Sequence, residues 1–89
     1  MTSMSVNVSM NGKLTHVTLG ALDVWFSYST AVAFWVAGER LVISENVWGP
    51  TTGRHLNAID TDKDIRIPRA EFEAKLNATM ARVELVNTP

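Results

Sequence analysis

The chain has 89 residues and a mass of 9.8 kDa, room for one compact domain and not for two, so every functional group must sit on one small core or between subunits. Hydrophobic residues make up 46% and charged residues 19%, with a mean hydropathy of +0.04, too apolar for a disordered chain and too polar for a membrane protein. Eight Lys and Arg against nine Asp and Glu leave a net charge of −1 and no basic field for a nucleic-acid polymer, and the absence of cysteine excludes disulfide, thiolate-metal and thiol chemistry.

Residues 1–10 hold no basic residue and no long apolar run, and the longest apolar stretch, Ala31 to Ala37, is far short of a spanning helix. The expected setting is the cytoplasm of the cell that makes it, with no membrane partner. Ser5 to Met10 and Leu14 to Leu19 alternate polar with apolar residues around Asn11-Gly12, the pattern of a two-residue hairpin. After a break at Gly20 to Asp23, Val24 to Ser29 reads as a third strand on its aromatic and β-branched content. Ala31 to Ala37, the Gly38-Glu39 turn and Arg40 to Asn46 form a second hairpin around a central, fully apolar strand. Thr51 or Thr52 then caps a short helix carrying Leu56 and Ile59. Pro68 opens a longer one, with Phe72, Leu76, Met80 and Val83 at helical spacing. The expected fold is a single α+β domain over residues 1–89: an antiparallel sheet of about four to five strands followed by two helices, the longer packing on the sheet.

A two-residue turn at Gly38-Glu39 sets Val36 opposite Leu41 and Phe34 opposite Ile43 on one face. It sets Ala31, Ala33 and Trp35 opposite Asn46, Ser44 and Val42 on the other. The second face, with its small and aromatic groups, could hold something flat, and a helix or a second subunit packing there explains it equally well.

The densest cluster of unusual residues runs from Asn46 to Asn57, where a strand turns into a helix amino terminus. Backbone N–H groups there, the hydroxyls of Thr51 and Thr52, Gly53 for close approach and Arg54 for charge suit an anion. Trp48 and Tyr28 can stack on a flat ring, and Asn46 and His55 can read its polar edge. Together they suit a nucleotide-like ligand, although Thr caps and Gly-Pro turns also have ordinary structural uses and no Walker or dinucleotide glycine pattern is present.

Asp60, Asp62, Asp64 and Glu71 imitate the ligand spacing of a calcium loop, but the position that needs glycine is Ile65, so the segment reads as a solvated acidic connector. His16 and His55 lie in no nucleophile motif and make no metal set, so neither a catalytic residue, a metal nor a cofactor is expected.

The segments Phe26 to Phe34, Asn46 to Asn57 and Arg66 to Glu73 resemble small uncharacterised proteins of bacteriophages and their bacterial hosts. The likeness covers roughly residues 17–76, and Asn-x-Trp-Gly-x-Thr-Thr-Gly-x-His-Leu is its most specific part. The resemblance carries no activity. It implies a phage setting and singles out Tyr28, Thr30, Asn46, Trp48, Thr51, Thr52 and His55. Small phage proteins that sequester nucleotide signals of host immunity offer a parallel of context. The leading expectation is therefore a non-catalytic, homo-oligomeric protein that captures a nucleotide-like molecule. The alternatives are a module that blocks or adapts a host protein through the Ala/Trp face, and a small nucleotide hydrolase using His55.

Overall fold

The computed structural model describes residues 4–9 and 12–87, with side chains in the last helix described as far as Arg82. The elements run β1 (Met4–Ser9), β2 (Leu14–Leu19), β3 (Leu22–Ser27), β4 (Thr30–Val36), β5 (Val42–Ser44), α1 (Pro50–Ile59), a 3-10 turn (Lys63–Ile65), β6 (Arg66–Ile67) and α2 (Arg69–Asn87). The fold is α+β, with six strands in sequential order. It is not a purely antiparallel sheet of four or five strands, because the connector after α1 returns two residues, Arg66 and Ile67, parallel to Ile43 and Ser44. So short a strand shows no alternation for a sequence reading to find.

The β1–β2 register pairs Ser9 with Leu14 and Met4 with Leu19, as a turn centred between positions 11 and 12 requires. Met10 and Asn11, the first half of that expected turn, lie outside the described residues. The break placed at Gly20 to Asp23 is a tight two-residue turn. Gly20 takes φ +61°, Leu19 pairs with Leu22, and β3 starts two residues earlier than its composition suggests. At its other end β3 stops at Ser27, and Tyr28 and Ser29, expected within the strand, form the turn into β4.

Two irregularities decide which residues share a face. Trp25 pairs with Ala33 but Phe26 pairs with Ala31, so Val32 is an extra residue that bulges β4 and interrupts its alternation. The β4–β5 connection is also longer than two residues: Ala33 pairs with Ile43 and Phe34 with Val42, one position off the register that a Gly38-Glu39 turn implies. Hydrogen bonds from Glu39 N to Val36 O (2.9 Å) and from Trp35 Nε1 to Glu39 O (2.7 Å) shape that loop. The expected Ala31/Ala33/Trp35 contact face consequently does not exist. Ala31 faces the α2 side, Ala33 is buried on the α1 side, and of the three only Trp35 is exposed.

The helices pack on opposite faces. Leu22, Val24, Phe34 and Phe72 form the core under α2, and Val32, Ala33, Ile43 and Leu56 form the core under α1. The longer helix covers less of the sheet than its spacing suggests. Phe72 is fully buried and Leu76 half-buried, but Met80 is 40% exposed, and the side chain of Val83 lies outside the described ones. Among the described residues no helix is long and apolar enough to cross a membrane.

Candidate functional site

The β3–β4 turn and the loop from β5 into α1 converge at one end of the sheet. Tyr28 holds φ +56°, a left-handed conformation that costs a non-glycine residue about 1–2 kcal/mol and commonly marks a functional constraint. Its N–H bonds Lys13 O at 2.7 Å, and its ring tilts on His55 with centroids 5.8 Å apart. Beneath it lies a buried polar group. Ser27 Oγ is 2.6 Å from His55 Nδ1 and 3.1 Å from Thr52 Oγ1, joining the end of β3 to two successive turns of α1. Burial lowers the His55 pKa from its ordinary value, and the Lys13 charge lowers it further, so the imidazole is neutral at pH 7.

Asn46 organises the approach to α1. Its Oδ1 accepts from Trp48 N (3.0 Å) and Gly49 N (3.1 Å), and its Nδ2 donates to Gly49 O (2.9 Å). Pro50 follows at the start of the helix, where its missing N–H costs nothing. No threonine caps the helix: Thr51 is exposed, and Thr52 turns inward to Ser27. Gly53 is small for a specific reason, since a Cβ there would stand 3.1 Å from Asn46 Nδ2. The glycine makes room for the Asn46 side chain, and two N–H groups expected to cradle an anion already donate to Asn46.

Ser27, Tyr28, Thr30, Val32, Trp48 and Thr52 line a cleft of about 70 Å³. Of the expected site residues, Tyr28, Thr30, Trp48 and Thr52 thus share one wall set, and His55 supports it from below. Asn46 is engaged in the loop, and the exposed Thr51 and Arg54 stand outside the lining. Two contributors escaped the sequence reading. Ser27 carries no signal beyond its strand position. Arg69 lies 4.9 Å over the Trp48 ring and 4.8 Å over Phe72 while donating to Ala31 O (2.7 Å) and Glu73 Oε1 (3.0 Å). It stacks on the indole, and only the fold brings residues 48 and 69 together.

The arrangement offers two exposed rings as cleft walls, a hydroxyl-rich floor, and the cations Lys13 and Arg69 nearby. Among the described residues no carboxylate bonds His55, and no group of three metal-ligating side chains occurs. The motif that shapes this end of the sheet falls within a match to a family model over residues 2–74. The chain belongs to DUF8033, a family of unknown function. No curated protein and no solved structure matches it.

Proposed function

We propose that the protein is a non-catalytic binder of a small, ring-bearing, anionic molecule of nucleotide type, with the ring held between Tyr28 and Trp48. The observation that carries the reading is that Tyr28, Thr30, Trp48 and Thr52, from separate segments, line one cleft, with Tyr28 kept in a costly backbone conformation there. The rings are 54% and 43% exposed, an expense of apolar surface that a stacked ligand would recover. Lys13 supplies positive charge beside the site, whereas the Arg69 charge is paired with Glu73. A cleft of about 70 Å³ admits the edge of a ring, whereas enclosing a whole ligand takes roughly 300 Å³ or more. The reading therefore includes a second subunit to close the site. In the phage setting that the sequence resemblance implies, such capture would withdraw a nucleotide signal of the host without altering it.

A thermal-shift panel of nucleotides and cyclic nucleotides tests this: a saturable rise in melting temperature, intact ligand on recovery, and loss of the shift in Trp48→Ala support capture. No shift with any member refutes it. A second reading is favoured by the 2.6 Å contact between Ser27 Oγ and His55 Nδ1, which pairs a hydroxyl with a neutral base at the cleft floor. On that reading the recovered ligand is chemically changed, and Ser27→Ala abolishes turnover while leaving binding in place.

A further inference from the structure

Among the described residues, the sheet ends in an edge strand without the usual protection. Strand β1, Met4-Ser5-Val6-Asn7-Val8-Ser9, is exposed along all six residues and contains no charge, no proline and no glycine. Edge strands normally carry such residues because their unpaired N–H and C=O groups otherwise recruit another strand. The apolar side chains Met4, Val6 and Val8 are 68%, 54% and 58% exposed and lie on the α2 face, paired with Leu19, Val17 and Thr15 of β2. There they adjoin an apolar groove of about 210 Å³ that includes Val17, Leu19, Leu76 and Met80, left open where α2 stops covering the sheet.

We infer that β1 pairs antiparallel with β1 of a second copy, about a two-fold axis through Val6, to make one continuous twelve-stranded sheet. A second copy suits the strand because its alternation is self-complementary, and Val6 is the middle residue of the exposed apolar stripe Met4, Val6 and Val8. Read backwards about Val6 it keeps its chemistry: Val6 meets Val6, Met4 meets Val8 on the apolar face, and Ser5 meets Asn7 on the polar face. No like charges oppose each other, and the unpaired backbone of both edges is satisfied at once. A six-residue edge is about 20 Å long, so the strand alone makes a narrow contact, and the apolar groove widens it on one side. The association is therefore reversible and concentration-dependent. The Tyr28–Trp48 cleft lies on β3, β4 and α1, away from the paired edge, so this proposal does not depend on the ligand reading and its test does not involve a ligand.

Sedimentation of the full chain over a concentration series should give twice the 9.8 kDa mass at the high end. Because the native chain has no cysteine, register is directly testable. In Val6→Cys the two substituted residues face each other at about 5 Å between Cα atoms, and oxidation links the dimer. In Val8→Cys the same residues lie about 13 Å apart, and no link forms. Val6→Lys sets two ammonium groups on the axis and should weaken dimerisation by at least about tenfold, with circular dichroism confirming the fold. Should Val6→Lys not fold, Val6→Ala removes the apolar pair on the axis from an exposed position and should still weaken the dimer. A monomer at every concentration overturns the inference, as it would if the edge served an extended peptide of another protein. Equal cross-linking of the two cysteine variants overturns it as well.

Discussion

Replacing Gly53 by alanine sets two effects of opposite sign against each other, and the geometry decides between them. Gly53 lies inside α1, where alanine is favoured by about 1 kcal/mol through helix propensity alone. The new Cβ would stand 3.1 Å from Asn46 Nδ2, too close unless the amide moves. That amide is not free, because three hydrogen bonds of 2.9–3.1 Å hold the Asn46 side chain to Trp48 and Gly49. At about 0.5–1 kcal/mol each in so exposed a loop, losing them costs about 2 kcal/mol. Gly53→Ala should therefore destabilise the protein by about 1 kcal/mol, a fall of roughly 4–8 °C in Tm for a chain of this size. Asn46→Ala alone should cost about 2 kcal/mol, since the loop loses its staple. In the double variant the alanine no longer meets an obstacle, its propensity gain returns, and the protein should be about 1 kcal/mol more stable than Asn46→Ala. Urea unfolding of the four proteins closes the cycle, with a coupling of about 2 kcal/mol. If Gly53→Ala is more stable than the parent, or if the two substitutions add, the glycine does not serve the asparagine.

Ser27→Ala leaves His55 Nδ1 and the Thr52 hydroxyl without their buried partner and should cost about 1–3 kcal/mol in urea unfolding, far more than a serine-to-alanine change on the surface. His55 has its pKa lowered in the folded state, by burial first and by Lys13 second, so the unfolded chain binds a proton that the folded one refuses. Stability from this group is complete above about pH 6.5 and falls as pH drops from there toward the lowered folded value. Urea midpoints across this range should slope less in His55→Gln than in the parent. Tyr28→Asn keeps a residue that tolerates the left-handed conformation, so stability should stay within about 1 kcal/mol of the parent while nucleotide-induced thermal shifts disappear. Phe72→Ala empties a fully buried position against Phe34 and should cost about 3–5 kcal/mol.

The alternating β1 and β2 segments, the placement of both helices after the first five strands and the inward side of α1 are legible in the chain, because period-2 and helical spacing are local and survive any tertiary arrangement. The sequence also marked Asn46 to Asn57 as unusual, since Trp, Gly-Pro, paired Thr and His seldom crowd together without a geometric reason. The use of those residues was decided elsewhere. Only the fold shows that Asn46 staples the loop before α1 and that its side chain fills the space beside Gly53. Ser27 and Arg69 fall within the segments that carry the resemblance, but nothing in their spacing points to His55 or Trp48. The bulge at Val32 and the lengthened loop after β4 changed which residues share a face, and no local preference announces a one-residue slip. Contacts such as Ser27–His55 and Trp48–Arg69 span 28 and 21 positions of chain, distances over which spacing carries no information and only the packed sheet and helices set who meets whom.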